Sequence, residues 1–302
     1  MLRKLVVLQS ICLIFFVVNC NNFKKSKVIS LEKTEEIKLE VAKEKPLWIA
    51  IGNTITQKEE FAYYKPLIDY IGKKLDKPVK ILVKESYAEI NRLMGLDEID
   101  VAFLSSKAYV DGYDDNKIQL LAIPEINGKT NEYSYIIVSV DGKIKNFKQL
   151  QGKTFAFVDL MSNSGKLVPH SMLTNMGEKP DFYFKKNIYT YAHDNSIKMV
   201  AQKIVDGAAV SSVIWEYLNQ TNPELTAKTS IIEKSPPYGM PPVVVRPNFD
   251  PEIKKKLKQI LLEIHTDEKG REILGNMKID KFVSVENSAY DSIRKLKEWI
   301  ME

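Results

Sequence analysis

Apolar positions along this chain switch repeatedly between two periods. Leu47 to Ile51 is a short apolar run of strand type, and Tyr64, Leu67, Ile68, Ile71 and Leu75 then recur at the spacing of one helix face. The exchange repeats with a strand at Val79–Val83, a helix at Tyr87–Met94 and a strand at Val101–Leu104, and further strands are expected at Gln119–Ile123 and Tyr135–Val140. Thr154–Val158 opens a second series: a helix over Gly165–Asn175, a strand near Ile188–Tyr191, then a helix striped by Ile197, Val200, Ala201, Ile204 and Val205. Asp194, Asn195 and Ser196 offer cap residues for that helix, and Gly207 ends it. Strands at Ala208–Val213 and Thr229–Glu233 follow, and Val243–Val245 returns the chain to the first series. Ile253, Leu257, Ile260, Leu261 and Ile264 mark a long amphipathic helix, with two more over Lys269–Met277 and Ala289–Ile300. This alternation predicts an α/β fold of mostly parallel sheets with helices on both faces, and no repeat of solenoid period interrupts it.

At 302 residues the chain is long enough for two lobes. Its net charge of +5 is mild and no basic-aromatic stripe occurs, so nucleic acid is not an expected partner. The Lys254-Lys255-Lys256 run reads as a solvated helix face. The amino-terminal pattern is more specific. Arg3 and Lys4 precede a mostly apolar stretch from Leu5 to Val18, broken by Gln9 and Ser10, which reads as a secretory signal rather than a membrane span. Val17-Val18-Asn19-Cys20 resembles the lipobox of bacterial lipoproteins, with Asn19 departing from the usual small residue before the cysteine. Cleavage there would make Cys20 the lipidated first residue. Cys12 would be lost with the signal, leaving the exported body no disulfide, no cysteine metal site and no cysteine nucleophile. The polar, Lys- and Glu-rich stretch that follows reads as a tether. The expected organisation is a signal peptide over 1–19, lipidated cysteine and tether over 20–45, lobe 1 over 46–140 with 241–302, and lobe 2 over 141–240.

Two stretches carry the candidate chemistry. Asp100-Val101-Ala102-Phe103-Leu104-Ser105-Ser106 and Phe155-Ala156-Phe157-Val158-Asp159-Leu160-Met161-Ser162-Asn163-Ser164-Gly165 are apolar strand runs that stop at serines before a helix. A helix start exposes unpaired N–H groups and the positive end of its dipole, so hydroxyls beside it complete an anion cradle without a charged side chain. Two such cradles face to face would grip a small oxyanion. Each serine group also has a plainer reading as a helix cap or turn. No spaced metal-ligand set, nucleophile elbow, Walker loop or dinucleotide fingerprint is present, and no cofactor is expected.

The order of these segments resembles the phosphate/phosphite/phosphonate-binding proteins that feed ABC importers, of the periplasmic binding protein type II fold. The resemblance rests on Tyr64-Lys65-Pro66-Leu67-Ile68-Asp69-Tyr70, on Asp100 to Tyr109, and on Phe157-Val158-Asp159 with Ser162-Asn163-Ser164-Gly165 and Leu167-Val168-Pro169. Further along it rests on Ala192-His193-Asp194-Asn195-Ser196, Val205 to Val210, Ser235-Pro236-Pro237 and Gly270-Arg271-Glu272-Ile273-Leu274. It implies two lobes joined by crossings near Tyr135–Val140 and Met240–Val245, closing on the solute by hinge motion. It implies ligand contacts from Ser105, Ser106, Ser162, Asn163, Ser164 and Ser211, close backbone approach at Gly165, and a hydrogen bond or positive charge from His193. Tyr63, Tyr64 and Tyr109 are candidate phenols, and Trp215 and Tyr238 could wall an organic tail. Many members of the family place an acid after the strand that here ends Val210-Ser211-Ser212, and serine stands there instead. His170 and His265 read as structural or exposed.

The expected partners are a small oxyanion, permease and ATPase subunits, and a membrane reached through the lipid; the body is expected to be a monomer. Two other readings remain open from sequence. A surface antigen or adhesin could keep the scaffold without a solute. An enzyme would need a poised acid–base pair, for which His193 with Asp159 or Asp194 is the candidate.

Overall fold

The computed structural model describes residues 45–52, 55–84, 86–115 and 117–301. The signal segment, Cys20 and nearly all of the tether lie outside the described residues.

The first half of the body runs β1 (Leu47–Gly52), α1 (Gln57–Leu75), β2 (Val79–Lys84), α2 (Tyr87–Gly95), β3 (Val101–Phe103), α3 (Ser106–Asp114), β4 (Gln119–Glu125), β5 (Asn131–Glu132) and β6 (Ser134–Ser139). The middle runs β7 (Thr154–Phe157), a π-helical turn (Asn163–Leu167), α4 (Val168–Asn175), α5 (Pro180–Tyr183), β8 (Lys186–Tyr189), α6 (His193–Ala201), β9 (Gly207–Ser211), α7 (Ser212–Thr221), α8 (Pro223–Thr226), β10 (Thr229–Lys234) and β11 (Tyr238–Gly239). β12 (Val243–Val245), α9 (Pro251–Glu263), α10 (Glu268–Met277), β13 (Lys281–Val283) and α11 (Asp291–Met301) complete it.

The strands form one sheet in the order β13-β4-β12-β3-β1-β2 and a second in the order β10-β6-β9-β7-β8. Each has a parallel core, β3-β1-β2 and β9-β7-β8. The strands that enter and leave add antiparallel edges, β12 between β3 and β4, and β6 between β9 and β10. This is the two-lobed periplasmic binding protein type II fold.

Strand periodicity decides which face each side chain serves. Ile49 and Ile51 point to the layer made with Leu67, Ile71, Leu257 and Leu261, whereas Ala50 between them faces Ile90, Tyr109 and Tyr290. In the second sheet Ile137, Ala156 and Val210 pack with Ile197 and Val200. Phe155 and Phe157 face the other way, where Phe155 stacks on Phe184 at 4.4 Å between ring centres.

The crossings lie slightly away from their expected places. Tyr135–Val140 belongs to the second sheet, since β6 pairs with β9 from Ser134↔Ser211 to Val138↔Gly207. Between the sheets a two-rung antiparallel ladder joins Glu132 to Tyr238 and Asn131 to Gly239. The apolar pattern cannot mark such a short polar ladder, so sequence placed the crossing on the hydrophobic run beside it. The cap of α6 differs too: the helix begins at His193 after Ala192, which gives no side-chain cap bond.

Asp100 ties the first sheet at its far end. Its carboxylate accepts the Trp48 N–H at 2.9 Å and Arg246 Nε–H at 2.9 Å, linking β1, the approach to β3 and the exit of β12. Asp100 is buried. Replacing it with alanine orphans both donors, and we expect a loss of about 3 kcal/mol in urea unfolding of Asp100→Ala. A change within about 0.5 kcal/mol would remove this tie from the account of the fold.

Candidate functional site

Every candidate loop leaves the carboxyl end of a parallel-core strand. β3 leads to Ser105 and α3, β7 to Asp159–Gly165, β8 to His193 and α6, and β9 to Ser211 and α7. That is where open α/β sheets gather their ligand-facing loops. The two serine loops meet: the Ser105 hydroxyl donates to the Met161 carbonyl at 2.6 Å, and the same oxygen caps α3 by accepting the Ala108 N–H at 3.2 Å. Ser106, Ser162, Asn163, Ser164, His193 and Ser211 are all buried.

Several of the hydroxyl protons there are already committed. Ser106 donates to the Gly239 carbonyl at 2.6 Å. Ser211 donates to Glu132 Oε2 at 2.6 Å. The Ser134 hydroxyl donates to the Ser164 carbonyl at 2.6 Å, and Ser162 Oγ accepts the Gly165 N–H at 3.0 Å. The Asn163 side chain is different. It is 1% exposed, and neither its amide nitrogen nor its oxygen has a hydrogen-bond partner.

His193 stays neutral, which corrects the expectation that it could carry charge. The Ser211 backbone N–H donates to its Nδ1 at 3.0 Å. A ring nitrogen that accepts a proton donor carries no proton itself, so the hydrogen sits on Nε2. Burial pushes its pKa down to about 3. The same bond occupies the nitrogen that a pairing through Nδ1 with Asp159 or Asp194 would need. Asp159 instead accepts the Met161 N–H at 2.7 Å, and Asp194 pairs with Lys198 at 2.7 Å. Burial raises the Asp159 pKa, while the backbone of Met161 and Tyr87 and the charge of Lys107 oppose the rise.

Other candidates have structural work. The Tyr109 hydroxyl donates to Asn287 Oδ1 at 2.7 Å and its ring packs on Tyr290 at 4.5 Å, placing it in the core of the first lobe. The Tyr63 hydroxyl donates to the Met277 carbonyl at 2.7 Å. A Cβ at Gly165 would lie 2.6 Å from Val158 Cβ, so glycine here serves packing of the loop on β7. Trp215 donates to Thr229 Oγ1 and Tyr238 lies in the inter-sheet ladder. The rings of Tyr63 and Tyr64, with Phe103, Ile214, Met240 and Phe282, line a cavity of about 60 Å³ that reaches Ser211.

A family model described as "ABC transporter, phosphonate, periplasmic substrate-binding protein" matches residues 50–290. The chain belongs to that family. It is 27% identical over 240 residues to the phosphonates-binding periplasmic protein of Escherichia coli K12, a match covering 78% of this chain and 69% of the relative. It is also 27% identical over 159 residues to the probable ABC transporter phosphite binding protein PhnD1 of Prochlorococcus marinus MIT 9301, covering 51% of this chain and 54% of that one. Among solved structures, the binding protein component of a Pseudomonas aeruginosa ABC phosphonate transporter superposes with TM-score 0.81 at 24% identity, covering 85% of this chain and 87% of the other. PhnD1 of P. marinus in complex with methylphosphonate gives TM-score 0.76 at 20% identity, covering 84% and 97%. These structural likenesses establish the fold.

Within this family member, the residue that sequence reasoning missed is Glu132. Sequence suggested that the site had lost its acid, because serine stands after β9. The structure supplies a carboxylate from β5 instead, 2.6 Å from that serine's hydroxyl. Glu132 is 2% exposed and lies 3.4 Å from Ser106 Oγ. Its signal in the chain is faint: Glu132 and Ser134 share one strand face, and the Ser134↔Ser211 register carries Glu132 past the end of β9 to the start of α7. One sequence does not reveal register.

Burial raises the Glu132 pKa from 4.5 to about 7, and the neighbouring polar groups of Ser211, Ser106 and Asn163 pull it back only in part. Between those two values the unfolded chain has released the proton while the folded chain keeps it, so stability falls as pH rises through that window. The shift corresponds to about 3 kcal/mol, fully lost above pH 7 and absent as a penalty below pH 4.5. Glu132→Gln removes this titration. Urea unfolding of the two proteins should show the variant gaining about 3 kcal/mol on the wild type between pH 4 and pH 8. A constant difference across that range would mean Glu132 ionises normally.

Proposed function

We propose that the chain is the extracytoplasmic solute receptor of an ABC importer and that it binds a small phosphorus oxyanion between its two lobes. In this reading lobe 1 comprises 46–140 with 241–302 and lobe 2 comprises 141–240, and Cys20 carries the lipid that holds the body to the membrane. Family membership supports the transport role. The observation that carries the ligand class is the Asn163 amide, buried without a partner beside the starts of α3 and α7. An unmet donor in a buried polar site is costly unless something completes it, and helix N-termini favour an anion there. Permease and ATPase subunits are the implied partners, and no step in this role breaks a bond.

The tail side of the site also selects. The residues lining the cavity next to Ser211 include Phe103, Val213, Ile214, Met240 and Phe282, and among the described residues the lining carries no carboxylate or other charged side chain. An ammonium group would enter it without a counter-charge, whereas a hydrogen or methyl group loses nothing. Phosphite and methylphosphonate are therefore favoured over aminoethylphosphonate.

Calorimetry with phosphate, phosphite, methylphosphonate and aminoethylphosphonate tests this. We expect micromolar or tighter binding of phosphite or methylphosphonate, and weaker binding of the amine. Asn163→Ala should lose at least about tenfold in affinity, the worth of one hydrogen bond to a charged group. No heat with any of the four compounds would sink the solute-receptor reading and favour a surface protein that keeps only the scaffold.

A further inference from the structure

Glu132 has no role in the reading above, yet it occupies the centre of the cradle. It stands on the inter-sheet ladder opposite Tyr238. Three elements face it with neutral groups: Ser106 from α3, Asn163 from the π-helical turn and Ser211 from the end of β9. Tyr290 approaches it from the carboxyl-terminal segment, and burial keeps the phenols of Tyr290 and Tyr238 protonated. Behind Ser211 lies His193, neutral because Nδ1 accepts the Ser211 N–H. No positively charged group is among those that hold the Glu132 carboxylate.

The hydrogen-bond count at Ser106 adds a second constraint. A serine hydroxyl has one proton. Ser106 lies 2.6 Å from the Gly239 carbonyl and 3.4 Å from Glu132 Oε1, both acceptors when the carboxyl group is ionised. The shorter contact takes the Ser106 proton. The longer one then lacks a proton unless Glu132 supplies it.

Resting on the oxyanion reading, we propose that Glu132 makes solute capture proton-coupled: the carboxyl group takes one proton from solvent as an oxyanion enters, and that proton bridges Glu132 and the anion. A doubly charged solute beside an ionised carboxylate would place like charges within one dry site, with only neutral donors around them. One proton removes the conflict and turns Glu132 into a donor. The count is the same whether the proton resides on the carboxyl oxygen or on the phosphorus oxygen, because the two groups titrate as a pair. The raised Glu132 pKa means that the free protein crosses this titration near neutrality, so affinity falls with alkaline pH.

The test compares wild type with Glu132→Gln, titrated calorimetrically with methylphosphonate and with phosphite between pH 6 and pH 9. Each titration is run in two buffers of different ionisation enthalpy. At pH 8 the wild type should take up close to one more proton per bound solute than the variant. Affinity of the wild type relative to the variant should drop about tenfold per pH unit above 7. The solute's own ionisation is common to both proteins and cancels in the comparison. Matching proton counts and parallel pH profiles would overturn the proposal while leaving the receptor reading intact. Failure of both proteins to bind either solute at any pH would overturn the receptor reading, and the proposal with it.

Discussion

A charge removed from water needs either an opposite charge or a set of aligned dipoles, and this site is built from dipoles. The loops after β3, β7 and β9 bring helix starts, hydroxyls and an amide together around Glu132, and the groups that stabilise its carboxylate are all neutral. Two lysines on the helices of the site are used in ion pairs: Lys107 pairs with Asp111 at 2.6 Å and Lys198 with Asp194. Within such a site an ionised Glu132 and a second negative group would oppose each other directly. Its chemistry is therefore governed by where protons reside.

One backbone N–H sets several of those positions. Ser211 N–H donates to His193 Nδ1, which fixes the imidazole as a neutral ring with its hydrogen on Nε2. With its backbone so engaged, Ser211 gives α7 no side-chain cap, and its hydroxyl turns to Glu132. Ser212 then satisfies Tyr133, accepting its N–H at 2.9 Å and donating its own N–H to the Tyr133 carbonyl at 2.9 Å. The start of α7 is thus locked to the strand that carries Glu132. A shift of that strand would disturb the histidine, the serine and the acid together.

The sheets and main helices were legible because burial imposes a period on them: Ile49 and Ile51 face one layer and Ala50 the other, and the sequence shows that alternation directly. The serine loops were legible because strand-to-helix turns need small polar caps, and Ser105 does cap α3. Three things were hidden. The polar ladder of β5 and β11 has no hydrophobic signature. The tautomer of His193 depends on a backbone N–H eighteen residues away in sequence. Glu132 was hidden by strand register, which places it at a helix start that its neighbours in the chain do not announce. Tyr109 misled for the converse reason: its position one turn into α3 suits a pocket phenol and a core phenol alike, and packing against Tyr290 decides for the core.

On the proposed oxyanion reading, the hydroxyls of Ser105, Ser106 and Ser211 would contribute less to affinity than their number suggests. Those of Ser105, Ser106 and Ser211 each donate to a protein oxygen already, at 2.6 Å. A hydroxyl that turned toward a solute would abandon that acceptor, so the exchange is close to neutral, and a hydroxyl that did not turn would offer only lone pairs. Net gain must come from groups with nothing to give up. The Asn163 amide is such a group, and a protonated Glu132 is another once its hydrogen points away from Ser106. On the proposed oxyanion reading, the amide and the acid are therefore the groups with most to gain, while Ser105, Ser106 and Ser211 already hold together the loops around them.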